Sequence, residues 1–151
     1  MNQIFLDYLK SQNLKFDIKT FSESTRTSAD AAIALGCLLG QIAKSLIFQT
    51  EDGEPILIIA SGPNRINELK IEKIIGKKIS KADAVFVRKH TGYVIGGVPP
   101  VGFPVPITTY IDEDLLNFRQ IWSAAGDPNS VFPLTPANLI QITRGIIVCV
   151  K

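Results

Sequence analysis

The sequence predicts an α+β domain in which helices pack against a mixed, strongly curled β-sheet. Helical patterns and hairpin strands are mixed along the chain, which is typical of this class. The length of 151 residues suits one hydrophobic core, and apolar residues make up 46% of the chain, as in globular proteins. Because we find no repeat, low-complexity tract or linker, we expect residues 1–151 to form a single domain.

The first half of the chain contains patterns for two helices and three strands. An apolar helical face near the N-terminus comprises Ile4, Phe5, Tyr8 and Leu9. Residues 14–21 alternate apolar and polar side chains, which indicates a strand. Thr27 is placed to cap a second helix, which Gly36 would end. Apolar runs on both sides of Asp52 and Gly53 predict a β-hairpin.

The second half of the chain contains patterns for three more helices and for further strands. Asn67 can cap a helix that stops at Gly76, and Ser80 with Asp83 forms a capping-box pattern before the next helix. Thr135 and the proline after it begin the last helix. Strands are predicted at residues 106–112, in two segments between residues 120 and 134, and at residues 145–151.

The charge and the cysteine content exclude several classes of protein. A formal net charge of +2 is too small for a protein that binds nucleic acid over a broad basic surface, so any contact with RNA is expected to be local. Cys37 and Cys149 are expected to be buried free thiols in a reducing compartment. Because His90 is the only histidine, we expect no zinc site, and no other metal or cofactor.

The chain contains no segment suited to a membrane. The N-terminal residues lack an apolar core followed by small residues, so no signal peptide is expected. The uncharged stretch at residues 91–111 contains four prolines and four glycines, so it cannot form a membrane-spanning helix. We therefore expect a cytoplasmic protein that does not contact a membrane.

Lys44 is the first candidate for a functional residue. It lies between an apolar helical stretch and an apolar strand, so its side chain either reaches the surface or points into a pocket. In a pocket, the ammonium group could bind a phosphate or an ester oxygen, and burial would lower its pKa. The surface position is the commoner arrangement for a lysine.

The second candidate is the loop at residues 96–102. Its glycines let the backbone approach a ligand, and its two adjacent prolines make it stiff. We expect free N–H groups at Gly96, Gly97 and Val98, as an oxyanion hole requires. Substitution of Gly97 by alanine is expected to impair the rate more than the stability. A structural turn would have the same composition.

No nucleophile of the protein itself is predicted. The chain lacks a Gly-x-Ser-x-Gly pattern, His90 has no suitably spaced partner, and apolar neighbours make Cys37 unreactive. Arg65 could reach an RNA phosphate, although the sequence favours a solvated arginine in a turn. The acidic run at residues 112–114 is expected to be solvated. An enzyme with this sequence would therefore use water or a group of the substrate as the nucleophile.

Several short motifs follow one another in a distinctive order. The first three are Thr27…Asp30-Ala31-Ala32…Leu35-Gly36, Gln41-Ile42-Ala43-Lys44-Ser45-Leu46-Ile47-Phe48 and Gly96-Gly97-Val98-Pro99-Pro100-Val101-Gly102. Three more follow, which are Asp112-x-Asp114-Leu115, Ala124-Ala125-Gly126 and Leu134-Thr135-Pro136. In order and spacing, the set resembles the YbaK/EbsC family (prolyl-tRNA editing) over essentially the whole chain. The resemblance implies a single YbaK-like domain with a barrel-like sheet.

The resemblance also implies an activity, namely the trans-acting hydrolysis of the ester of a mischarged tRNA, often a small amino acid on tRNA for proline. Lys44 would hold the terminal adenosine or its phosphate. The segment that ends at Pro100 would place the backbone N–H groups of Gly96, Gly97 and Val98 near the ester carbonyl. Substrate-binding roles are implied for Thr27, Ser28, Ser61, Arg65, Gly102 and Asp112.

The identity of the edited amino acid stays open, because Ser28 replaces the apolar residue expected in many relatives. The implied partners are the acceptor end of tRNA and an aminoacyl-tRNA synthetase. A non-catalytic tRNA- or synthetase-binding module of the same fold is the main alternative. A regulatory accessory protein and an esterase of small molecules are further alternatives.

Overall fold

The computed structural model describes residues 2–151. The α-helices are α1 (Gln3–Ser11), α2 (Ser28–Leu35), α3 (Glu68–Ile75), α4 (Ala84–Thr91) and α5 (Pro136–Thr143). The strands are β1 (Lys19–Thr20), β2 (Ile42–Thr50), β3 (Pro55–Ser61), β4 (Ile79–Lys81), β5 (Thr109–Asp112), β6 (Ile121–Ala124), β7 (Ser130–Leu134) and β8 (Ile146–Val148). Short 3₁₀ turns lie at Leu39–Gln41 and Glu113–Asn117.

All the strands belong to one eight-stranded mixed sheet. Its order is β1-β7-β6-β2-β3-β5-β8, and β4 adds a second partner to β2. The β2–β6, β3–β5 and β5–β8 pairs are parallel, whereas the other pairs are antiparallel. The predicted α+β class and mixed sheet are confirmed. The sheet is open rather than a closed barrel, because β1 and β8 lie at opposite ends of the pairing order in residues 2–151.

The outer edge of β2, opposite β3, is divided between two strands. Ile42 and Ala43 pair with β6, whereas residues 48–50 pair with β4. Between these two ladders, residues 44–47 have no strand partner on that edge within the part of the chain described here. We call this opening the β2 gap.

The core lies on both faces of the central strand β3. Leu57 and Ile59 belong to a large cluster that also contains buried side chains of α1, α4 and α5. Ile58 and Ala60 point to the opposite face, where Ile71 of α3 is buried. This burial on both sides explains the uninterrupted apolar run of β3, since a strand covered on both faces has no solvent side.

Two predicted elements differ from the structure. Only Lys19–Thr20 of the expected strand at residues 14–21 pairs with β7. The alternation arose because Leu14, Phe16 and Ile18 pack against the large core cluster from an irregular segment. Helix α4 is capped by Asp83 alone, because Ser80 lies inside β4. The other predicted helices and the hairpin at Asp52 and Gly53 are confirmed.

The cysteines and the membrane expectation can also be compared with the structure. Cys37 and Cys149 are free thiols, but both are partly exposed rather than buried. Within residues 2–151, no helix has the length and apolar character that crossing a bilayer requires.

Phe132→Ala should destabilise the fold strongly, because Phe132 joins three parts of the chain. Its ring is fully buried and lies 5.4 Å from Phe5 of α1 and 4.8 Å from Phe16 between centroids. We expect a loss of about 3–5 kcal/mol in the free energy of unfolding, measured by denaturant titration. Val85→Ala removes an exposed side chain and should change this energy by less than about 0.5 kcal/mol. If both variants lost equally little free energy of unfolding, the proposed role of Phe132 in the core would be wrong.

Candidate functional site

Two cavities flank the β2 gap. The larger, of about 700 Å³, extends towards β4 and α4, and the smaller, of about 320 Å³, extends towards β6 and α2. The residues that line both cavities are Lys44, Ser45, Leu46, Ile95 and Val98. The structure therefore brings the lysine of β2 and the glycine-rich loop together, which is the arrangement that the family resemblance implied. Both cavities exist because no strand fills this part of the sheet.

Lys44 stands half-buried at the boundary between the cavities. Its Nζ donates a hydrogen bond to the Gly62 carbonyl oxygen at 3.1 Å. A lysine ammonium has three donors, so two stay available for a ligand. Burial lowers the pKa of Lys44 below its usual range, the Asp112 carboxylate opposes this shift, and the cations Arg65 and Lys81 add to it. The cavity thus concentrates positive charge around one fixed donor.

The larger cavity combines positive charge with apolar surface. Arg65 and Lys81 line it together with Lys44, and Glu68 is the one acidic residue among the described residues of its wall. Ile66 and Ile95 supply apolar surface in the same cavity. Cations beside an apolar surface can bind a group that carries both a phosphate and an aromatic base.

The glycine-rich loop presents alternate N–H groups. The Gly97 N–H donates to the Val94 carbonyl oxygen at 3.0 Å, so the expectation that it is free is wrong. Gly96 and Val98 line the smaller cavity, and within residues 2–151 their N–H groups donate to no acceptor. Gly96 has φ +89°, a conformation that favours glycine. The loop therefore retains two of the three donors expected from the sequence.

Gly97 packs against the protein and not against the cavity. A Cβ atom there would lie 2.8 Å from the backbone Cα and C atoms of Asp127. The glycine thus allows the loop to approach the β6–β7 turn closely. The sequence led us to expect a loss of rate larger than the loss of stability, whereas the structure indicates a steric effect on the loop itself.

Pro100 and Gly102 lie apart from Lys44. They line a third cavity of about 680 Å³ with residues of α1 and α5. The Tyr93 hydroxyl donates to the Gly102 carbonyl oxygen at 3.0 Å, which fixes this end of the loop. The predicted site residues of this loop are therefore divided between two regions.

Asp112 is buried behind the site, with 1% of its surface exposed. Its Oδ2 accepts from the Ser61 N–H at 3.0 Å and from the Asn64 amide at 2.7 Å, and its Oδ1 accepts from the Asp114 N–H at 2.9 Å. The expectation of a solvated acidic run is thus wrong for Asp112. These bonds hold the turn after β3, which carries Arg65 into the larger cavity.

Ser61 also lies outside the walls of both cavities. Its hydroxyl donates to the Gly40 carbonyl oxygen at 2.6 Å, and this contact ties β3 to the segment before β2. Ser61 and Asp112 are therefore placed to organise the site rather than to touch a ligand.

Thr27 and Ser28 line the smaller cavity at the start of α2. The Thr27 hydroxyl accepts from the Asp30 N–H at 3.1 Å, so this residue caps the helix as predicted. Sequence reasoning missed Ser45 and Ser123, which line the same cavity. Ser123 could have been noticed in the sequence as a single serine within the otherwise apolar strand β6.

The residues rejected as nucleophiles are unsuited to that role in the structure as well. Burial raises the pKa of the Cys37 thiol, which disfavours the reactive thiolate. The His90 ring stacks on Phe86 with 4.2 Å between centroids, and it lies outside both cavity walls.

The model of the aminoacyl-tRNA editing domain matches residues 22–142. The chain belongs to this family. It is 35% identical over 131 residues to YwhH of Bacillus subtilis, which covers 87% of the chain and 83% of that protein. It is 26% identical over 126 residues to EbsC of Enterococcus faecalis, a proposed Cys-tRNA(Pro)/Cys-tRNA(Cys) deacylase, covering 83% of the chain and 77% of EbsC. The resemblance to the YbaK/EbsC family is therefore confirmed.

A solved structure and a group of ligases extend the comparison. The crystal structure of a proposed trans-editing enzyme for prolyl-tRNA synthetase superposes with a TM-score of 0.92 at 35% identity, and the match covers 100% of this chain and 98% of that one. The proline–tRNA ligase of Leuconostoc mesenteroides is 28% identical over 104 residues, which are 66% of this chain but only 18% of the ligase. The editing domain thus occurs alone and within a larger protein.

Gly97→Ala should destabilise the protein, because its Cβ meets backbone atoms of Asp127 that cannot rotate away. We expect a loss of about 1–3 kcal/mol in the free energy of unfolding. Gly53→Ala is a useful comparison, since φ is +80° there but nothing lies within 4 Å of the added Cβ. That variant should lose about 1 kcal/mol through backbone strain alone. Full stability of Gly97→Ala would indicate that the Cβ enters the cavity instead.

Asp112→Asn should also destabilise the protein, because the new amide offers hydrogen atoms where three donors need an acceptor. We expect a loss of about 2–3 kcal/mol in the free energy of unfolding, measured by denaturant titration. Glu113→Gln changes the exposed neighbour in the same way and should cost less than about 0.5 kcal/mol. Similar losses in both variants would show that the buried network contributes little.

Proposed function

We propose that the chain is a trans-acting aminoacyl-tRNA deacylase that hydrolyses the ester between a small, wrongly attached amino acid and the terminal adenosine of tRNA. The observation that carries this proposal is the position of Lys44 and Val98, which line both cavities of the β2 gap. A substrate with two unlike ends joined by one ester suits two unlike cavities that share one boundary. Family membership supports the same substrate.

The larger cavity would receive the terminal adenosine. Its cations Lys44, Arg65 and Lys81 suit the phosphate that precedes the adenosine, and Ile66 and Ile95 offer apolar surface to the base. The smaller cavity would receive the amino-acid side chain, and its volume of about 320 Å³ limits the size of that side chain. The ester then lies between them, beside Lys44.

The chemistry requires little beyond position and charge. A water oxygen adds to the ester carbonyl carbon, the bond from that carbon to the ribose oxygen breaks, and the ribose oxygen takes a proton that the water loses. The N–H groups of Gly96 and Val98 would stabilise the negative oxygen that forms on the carbonyl, and Lys44 would hold the ester. A neighbouring ribose hydroxyl can assist the water. An aminoacyl ester is already activated, so an enzyme nucleophile is unnecessary.

Recognition of the tRNA would be confined to its acceptor end. The net charge of +2 supplies few cations for the tRNA body, and those of the larger cavity are local. The match to part of proline–tRNA ligases supports an association with a synthetase, which would supply the missing tRNA specificity. We propose that the protein acts in the cytoplasm, without a metal or another cofactor.

Lys44→Ala should abolish deacylation while the fold persists. Its ammonium is a donor at the boundary of the cavities, and within residues 2–151 it forms no salt bridge that the fold needs. We expect the rate of ester hydrolysis to fall by about 100-fold or more on tRNA for proline charged with small amino acids. Lys10→Ala, on the exposed end of α1, is the matched control and should hydrolyse at the wild-type rate.

The same assay separates the enzyme from its main alternative. Wild-type turnover in Lys44→Ala would remove Lys44 from the mechanism. A folded wild-type protein that binds charged tRNA but hydrolyses no ester would instead support a non-catalytic binding module.

A further inference from the structure

Two buried hydroxyl groups in the smaller cavity lack hydrogen-bond partners. Within residues 2–151, Ser45 Oγ and Ser123 Oγ are the buried side-chain oxygens and nitrogens for which no partner is present. Only 1% of the surface of Ser123 is exposed. Burial of an unpaired hydroxyl is unfavourable, and folded proteins pair nearly all such groups. These two hydroxyls are therefore expected to find their partner in a ligand.

Both serines line the same cavity, and the strand register places them on the same face of the sheet. Ser45 lies on β2 directly after Lys44, and Ser123 lies on β6, where it is paired in register with Ala43. A group that enters this cavity from the ester at Lys44 would meet both hydroxyls. The two hydroxyls are thus placed to meet a substituent only a few bonds from the ester carbonyl.

The two threonine hydroxyls that line the cavity already have roles. The Thr25 hydroxyl donates to the Pro128 carbonyl oxygen at 2.9 Å, and the Thr27 hydroxyl caps α2. The rest of the inner wall is apolar, with buried side chains of Ala31, Ile42 and Val131. A cationic side chain would meet Lys44 and Arg26 in the same cavity, and a plain methyl group would leave both serine hydroxyls unpaired.

A short hydroxyl side chain satisfies both serines at once. Each serine hydroxyl can donate or accept, and so can the hydroxyl of a ligand. A thiol is a weaker partner in both directions. We infer that the smaller cavity selects an amino acid with a short, uncharged hydroxyl side chain, as in serine or threonine, and that Ser123 and Ser45 determine this selectivity. This inference rests on the proposed deacylase function and names the substrate class of the same site.

The test compares seryl-, threonyl- and alanyl-esters on one tRNA, so that only the amino acid changes. For the wild-type protein we expect the seryl or threonyl ester to be hydrolysed at least about tenfold faster than the alanyl ester. In Ser123→Ala, this ratio should fall towards one. Ser45→Ala should lower it as well, which gives a second variant if the first does not fold. Ser11→Ala changes an exposed serine of α1 and should keep the wild-type ratio.

The outcomes separate this inference from the proposed function. A faster alanyl ester, or a ratio unchanged in both cavity variants, would overturn the hydroxyl selectivity while leaving the deacylase intact. Absence of hydrolysis with every ester would overturn the deacylase and this selectivity together. A stability measurement adds an independent check, because removal of an unpaired buried hydroxyl should leave the free protein at least as stable as before.

Discussion

The site depends on a constraint within the sheet, namely that one edge of β2 is shared by two strands that do not meet. β6 pairs only with the start of β2 and β4 only with the end of β2, so residues 44–47 face an opening instead of a partner strand. A continuous strand there would have filled the space of both cavities. The gap places Lys44 and Ser45 at a boundary where polar groups can be buried and still reach a ligand.

The surrounding structure keeps this opening rigid. The buried Asp112 carboxylate fixes the turn that follows β3, while Gly97 allows the glycine-rich loop to lie directly against the β6–β7 turn. Asp112 and Gly97 therefore act by positioning other residues of the site, since neither lines a cavity of the β2 gap. Arg65 in the larger cavity and the N–H groups of Gly96 and Val98 beside the smaller cavity are then held on either side of Lys44. Such preorganised donors suit catalysis of a reaction that needs few functional groups.

Much of this arrangement could be predicted from local sequence. Thr27, Asn67 and Thr135 cap helices as their side chains indicate, since capping depends on residues three positions apart. The importance of Lys44 and the loop could be predicted only through family resemblance. The division of the loop between two regions, and the hydrogen bond of Gly97, could not be predicted, because both depend on the fold around it. Ser123 could not be identified from the sequence, because only the structure shows that its buried hydroxyl lacks a hydrogen-bond partner.

A crystal structure with a stable amide analogue of 3′-seryl-adenosine would show whether the β2 gap binds the substrate. We expect the adenine in the larger cavity near Ile66, the scissile carbonyl beside Lys44, and the seryl hydroxyl between Ser45 and Ser123. Binding of the analogue in the third cavity, beside Pro100 and Gly102, would contradict the assignment of the site. Binding in the β2 gap with the seryl side chain directed to solvent would contradict the two-cavity arrangement.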